Sequence, residues 1–341
     1  MTRGAVVTLL LLACATVPVI PGTEKRDEVF DKYTPLASNA EMARRVLTPL
    51  TVRRGDEVLA AKKTVLREQS IELAKEKFSL YVPGSPPPKE GYGLLVYVAP
   101  WEEMGTPKSW RPVLDRRGII MVMADASGNE TKIYDRRMPL ALLAYENVKA
   151  RYPVDPNRTY VGGMSGGSRT ALTIALAYPD VFRGALLNAG SNPIGKESEF
   201  RLPPAELFAQ FQRTRLAYVT GEKDEEHIHE DELSRASMRS WCVFDEDVWS
   251  IPKIAHIPPD GAMMIRALAM LEKKVPVDEG KLKECNARLQ RELAEKVAEV
   301  QAAIDRKDRD GARKLLYAID GAYSGFAEKQ ILELDTKLGP P

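Results

Sequence analysis

Along the chain, short apolar runs alternate with longer segments in which apolar residues recur every three or four positions. Phe78, Leu80 and Val82 stand at every second position, the mark of a half-buried strand, and Gly84-Ser85-Pro86-Pro87-Pro88 then forces a turn. Residues 94–98 and 119–124 are continuous apolar runs, as strands covered on both faces require. Residues 159–161, 185–187, 216–219 and 248–251 supply four more short strands. Helix-length segments fall between most of these, one of them carrying Leu140, Leu143, Ala144 and Val148 on one side. Strand–helix alternation at this spacing predicts an α/β core: a mainly parallel sheet, right-handed crossovers and helices on both faces.

After Val275-Pro276 the pattern changes. Leu282, Leu289, Leu293, Val297, Val300 and Ile304 recur at helical spacing through a strongly charged segment. Leu315, Leu316, Ile319 and Tyr323 mark a second helix beyond a polar turn. An antiparallel helical hairpin capping the core is expected over 276–341. At the other end, residues 16–75 read as an extension: a polar tether to about Lys32, then mixed helical or irregular chain. The catalytic-size α/β unit is expected over 76–275.

Residues 1–15 look like a targeting segment. Met1-Thr2-Arg3 gives a positive start, residues 4–13 an apolar run too short to remain in a bilayer, and Ala13-Cys14-Ala15 a small-residue site. Two outcomes compete: ordinary signal cleavage after Ala15, or a lipoprotein signal (Leu11-Leu12-Ala13-Cys14) with lipidation and membrane anchoring at Cys14. Both imply export to the periplasm or cell envelope, or secretion. Cys242 and Cys285 then remain as an even pair, a candidate disulfide in an oxidising compartment. Lys+Arg (49) and Asp+Glu (48) nearly cancel, so the chain lacks the basic field of a nucleic-acid binder.

The strongest chemical signal is Gly163-Met164-Ser165-Gly166-Gly167, entered from an apolar strand and followed at once by a helix. A Gly-x-Ser-x-Gly turn in that context lifts a serine hydroxyl above the sheet edge, with glycines where side chains would collide. It also aims the Gly166 N–H and the helix N-terminus at a developing oxyanion. A serine needs a base, and the chain holds three histidines. His256 lies after the last strand and before a helix, and is the expected base. His227 and His229 lie in an acidic stretch that reads as a solvated loop or helix start rather than a metal site. The acid should follow the preceding strand, where Gly221-Glu222-Lys223-Asp224-Glu225 offers Asp224, with Glu222 and Glu225 as rivals.

These residues resemble bacterial esterases of the polyhydroxybutyrate-depolymerase and feruloyl-esterase type within the α/β-hydrolase superfamily. The resemblance covers roughly residues 77–271. It rests on the strand 94–98, Val154-Asp155-Pro156-Asn157-Arg158 leading to Gly163–Gly167, Tyr178-Pro179-Asp180-Val181-Phe182, residues 221–224 and His256. It implies an α/β-hydrolase fold and cofactor-free hydrolysis of a small-molecule or polymer-derived ester, through an acyl-enzyme. The order Ser…Asp…His fits that superfamily. One departure stands out: many members have His-Gly after the strand that supplies the second oxyanion donor, whereas here the chain reads Val98-Ala99-Pro100-Trp101. Pro100 has no N–H, which leaves Trp101 as the second donor, or else as packing. Trp110 and Tyr134 fall in loops on the side where the site should open. A prolyl-oligopeptidase-like peptidase and a non-catalytic scaffold of the same fold are the alternatives, and oligomeric state is not legible.

Overall fold

A computed structural model describes residues 20–197 and 200–339; the expected signal segment, Cys14 included, lies outside them. Among the described residues, eight strands form one sheet: β1 (Thr23–Glu28), β2 (Phe78–Val82), β3 (Tyr92–Val98), β4 (Ile119–Ala124), β5 (Val154–Met164), β6 (Gly184–Asn188), β7 (Arg215–Gly221) and β8 (Glu246–Ile251). Their spatial order is β1-β2-β4-β3-β5-β6-β7-β8. β1 and β2 are antiparallel to their neighbours, and every pair from β4 to β8 is parallel. This is the α/β-hydrolase arrangement.

The period of two in each strand sorts its side chains onto two faces. Leu94, Val96 and Val98 of β3 join Ile120, Val122, Val161, Leu187 and Tyr218 in one cluster, under the helices Met138–Arg151 and Gly166–Ala177. Leu95 and Tyr97 join Met121, Met123, Leu186 and Val219 in the other, under the helices Arg111–Arg117 and Gly261–Leu271. Burying each such side chain contributes roughly 1.5–3 kcal/mol. Trp110 belongs to this second cluster. It is fully buried, packs edge-on against Tyr97 and donates its indole N–H to the Pro259 carbonyl at 2.7 Å, so it is packing and not a rim residue.

The N-terminal extension departs from expectation. The expected tether contains β1, an edge strand in register with β2 from Thr23 opposite Val82. Its sequence, TEKRDE, shows no apolar alternation because an edge strand here is held by the backbone ladder. Glu24 adds to this by accepting the Thr106 N–H at 2.9 Å and the Arg111 guanidinium. Beyond it, the helices Asn39–Val46 and Pro49–Ala61 open on side-chain caps from Ser38 and Thr48. Buried Arg45 ties the first of them to Asp180 at 2.6 Å and to the face of Tyr178.

The C-terminal region is also more than a hairpin. Helices Glu279–Asp305 and Arg309–Tyr323 run as the apolar spacing predicts, but a third, Glu328–Leu338, follows. Its buried residues Ile331, Leu334 and Leu338 repeat over too few turns to stand out in the sequence. This layer meets the N-terminal helices: Asp320 accepts the Leu50 N–H at 3.1 Å, and Asp335 accepts from Arg54 at 2.6 Å. A Cys242–Cys285 disulfide, with Cα atoms 5.8 Å apart, fastens the end of the helix Glu225–Ser240 to the helix Glu279–Asp305.

Candidate active site

The site stands at the carboxyl ends of β5 to β8. β5 ends at Met164, and Ser165 turns the chain at φ 55° and ψ −126°, a region that side chains other than glycine avoid. Its N–H donates to the Asn188 carbonyl at 2.9 Å, which locks the turn onto β6. A Cβ at Gly163 would lie 2.3 Å from the Gly167 carbonyl oxygen, and one at Gly167 would lie 2.0 Å from the Val98 oxygen. Glycine at both places is what lets the turn close against the end of β3. The first N–H groups of the helix Gly166–Ala177 have no intrahelical partner, so a positive dipole end faces the serine.

Asp224 follows β7 and His256 follows β8, and the structure brings them together: Oδ2 of Asp224 lies 2.7 Å from Nδ1 of His256. Gly221 makes the approach feasible, since a Cβ there would sit 2.4 Å from the Ala255 oxygen and 2.5 Å from that of Ile254. The glycine serves close backbone approach rather than an unusual turn. Of the rival acids, Glu222 accepts the Lys253 N–H at 2.8 Å and Glu225 is exposed in the first helical turn. Burial works against the charge on Asp224, but the hydrogen bonds from His227 and His256 outweigh it and hold the carboxyl below its ordinary value.

His227 is the surprise. Its segment is a helix start, yet its ring turns inward and not to solvent. Nδ1 lies 2.7 Å from Oδ1 of Asp224, and the ring stacks on His256 with centroids 4.3 Å apart. Position i+3 from Asp224 on a helix is the signal that could have found it. Asp224, His227 and His256 thus gather three ligand-type atoms within 4.8 Å. The two N···O separations of 2.7 Å are hydrogen-bond distances, so both Nδ1 atoms are engaged as donors.

On the other side of Ser165, the loops after β3 and β4 are laced together. Asn129 donates its N–H to the Pro100 oxygen at 3.0 Å, and Ala126 donates to the Glu102 oxygen at 2.6 Å. Trp101 lies on this loop and is 45% exposed, which removes core packing and leaves packing at the rim as the alternative to a donor role. Tyr134 sits half-buried against the core, in a single turn over Ile133–Arg137. Two residues went unread in the sequence. Asn129 lies against Gly166, where a Cβ would come 2.3 Å from its Oδ1. Arg137, buried, donates to the carbonyls of Ala99 (3.0 Å), Ser127 (2.9 Å) and Gly166 (3.2 Å), so one guanidinium joins the loops after β3 and β4 to the serine turn. Burial pulls its pKa down to about 10.

No known family's model matches the chain. Among curated proteins, it is 27% identical over 99 residues to a poly(3-hydroxybutyrate) depolymerase of Ralstonia pickettii, a match covering 25% of this chain and 20% of that protein. It is 47% identical over 45 residues to poly(3-hydroxyalkanoate) depolymerase C of Paucimonas lemoignei, covering 13% and 11%. The chain therefore spans a fifth or less of the length of these relatives. Among solved structures, Est1E from Butyrivibrio proteoclasticus aligns at TM-score 0.42 and 14% identity, over 59% of this chain and 95% of that one. An S-formylglutathione hydrolase from Staphylococcus aureus aligns at TM-score 0.43 and 13% identity, over 57% and 89%.

Proposed function

We propose that this chain is an exported serine hydrolase that cleaves a carboxylic ester. Two observations support the reading: an Asp224–His256 hydrogen bond of 2.7 Å after β7 and β8, and a serine held at φ 55° at the end of β5 in the same sheet. Ser165 Oγ attacks the acyl carbon as His256 Nε2 takes its proton, and Asp224 holds the imidazole and balances its charge. The Gly166 N–H and the Trp101 N–H stabilise the oxyanion. Collapse expels the alcohol, which takes the proton back from His256. A water, deprotonated by the same imidazole, then releases the acid. The reaction needs no cofactor from the protein.

Export rests on residues 1–15, and the Cys242–Cys285 disulfide supports it because such bonds persist in oxidising compartments. Among the described residues no helix is long and apolar enough to cross a membrane. Anchoring, if the chain is anchored, would pass through a lipidated Cys14. A hydroxyalkanoate ester is the first substrate to try, since the two curated relatives are named for such polymers.

Labelling with a fluorophosphonate probe tests the reading. Labelling of the wild type that disappears in Ser165→Ala and in His256→Ala is expected, and matched ester and amide panels then separate an esterase from a peptidase. Labelling that survives in Ser165→Ala, or is absent from the folded wild type, would overturn it.

A further inference from the structure

The carboxylate of Asp224 carries two imidazoles, and the reaction just described uses one. His227 donates to Oδ1 and His256 to Oδ2, each at 2.7 Å. Both rings therefore carry hydrogen on Nδ1 and turn Nε2 away from the acid. His227 is the better enclosed of the two, with its side chain 14% exposed against 37% for His256. Its Cδ2 lies where a Cβ on Gly190 would come within 2.5 Å, so the end of β6 walls the ring on the side away from the acid. Gly190 itself sits at φ 108°, which keeps other residues out of that place.

We propose that His227 is a positioning residue for this active site: it pins Asp224 through Oδ1 and backs the ring of His256, and it must be neutral for the reaction to run. The proposal rests on the ester-hydrolase reading. A carboxylate with one oxygen unheld can rotate away from the base, and a small misplacement of a catalytic group costs about a hundredfold in rate. The requirement for neutrality follows from what surrounds the pair. The charged groups near His227 are Asp224 and His256, Glu230 and Asp231 on its own helix, and Arg169 on the helix behind. Glu230 is paired with Arg169, while Asp231 receives Ser191 and Thr220. Asp224 is therefore the carboxylate left to balance charge on the two rings. When His256 takes the serine proton, a neutral His227 leaves the whole of that carboxylate to it. A protonated His227 would oppose the new charge across the stack.

The experiment is the pH dependence of kcat/KM for p-nitrophenyl butyrate in the wild type, His227→Phe and His227→Gln, with far-UV dichroism as the check on folding. Phenylalanine keeps the stack and removes the donor; glutamine keeps a donor and removes the charge. The His227→Phe enzyme is expected to lose kcat by roughly 10- to 100-fold at unchanged KM, and His227→Gln to recover most of that loss. On the acid side the wild-type log profile should steepen beyond a single-proton slope, since two imidazoles must be neutral, whereas His227→Gln should fall with a slope of one. A purely structural role would lower Tm and leave both readouts alone. A single-proton limb in the wild type overturns the proposal, as does a folded His227→Phe enzyme with kcat within about twofold of wild type. If that variant does not fold, the limb of His227→Gln decides. Failure of the ester-hydrolase reading would show separately, as labelling that persists in Ser165→Ala.

Discussion

At the carboxyl rim of the sheet, Ala126, Ser165 and Ala189 hold positive φ, and a buried arginine and two stacked imidazoles bind segments far apart in sequence. The helical layer, residues 39–61 with 279–338, is assembled otherwise. Four of its helices start on the side-chain caps Ser38, Thr48, Asp278 and Asp308, and Asp320, Asp335 and one disulfide fasten it. Strain and buried polar bonds position groups at the rim, whereas caps, ion pairs and a covalent link add stability to the layer. Damage to the two regions should therefore register in different measurements.

The sharpest separation should come from Ser165→Ala, which is expected to lower ester turnover by on the order of 10⁴-fold or more with no loss of Tm. Opposite in kind is the double change Cys242→Ser with Cys285→Ser. With a sequence separation of 43 residues, the lost constraint on the unfolded chain is worth about 4 kcal/mol. Thermal unfolding should shift down by many degrees, while kcat of the folded enzyme stays put. A fall in kcat would show that the helical layer also positions catalytic groups. Arg137→Met comes next: with Ala99, Ser127 and Gly166 no longer joined, turnover should drop by about a hundredfold. Serine labelling should slow in step.

The smallest effect tests a buried acid behind the rim. Asp231 accepts from Ser191 Oγ at 2.7 Å and Thr220 Oγ1 at 2.6 Å, and burial raises its pKa to about 6 from 3.8. A raised folded-state pKa means that the protonated acid favours folding, so this contribution is whole below pH 4 and is lost as pH rises through about 6. Asp231→Asn cannot ionise. Its Tm relative to wild type should therefore climb as pH goes from 4 to 7, by the equivalent of about 1–3 kcal/mol. A difference that is flat across that range would show that ionisation of Asp231 does not matter to the fold.

Much of this was legible in the chain. The strands reveal themselves because both faces are covered, so runs such as 119–124 are apolar throughout. The serine turn shows because close packing demands glycine at Gly163 and Gly167, and Asp224 and His256 show because each follows a strand. What stayed hidden depends on partners distant in sequence. Arg137 gains its meaning from three carbonyls, Asn129 from its place against Gly166, and His227 from an acid three residues earlier whose direction a helix alone determines. Trp110 reads equally as packing or recognition in the sequence, because an aromatic beside a loop gives no sign of the Pro259 carbonyl that receives it. β1 was missed because its polar residues carry no burial pattern.

That same strand bears on how the protein behaves at high concentration. Among the described residues the eight-stranded open sheet has two unpaired edges, and an unguarded edge is a template on which another chain can add. β1 presents Glu24, Lys25, Arg26 and Asp27 along one edge, and β8 presents Glu246 and Asp247 amid Arg215, Arg235 and Arg239 along the other. A second copy would have to strip water from Lys25, Arg26 and Asp27 at one edge, or from Asp247 and Arg239 at the other, before gaining any backbone bond. With a net charge of only +1, the molecule has little overall repulsion to keep copies apart. Protection against edge-to-edge pairing would therefore have to come locally, from those two rows of charge.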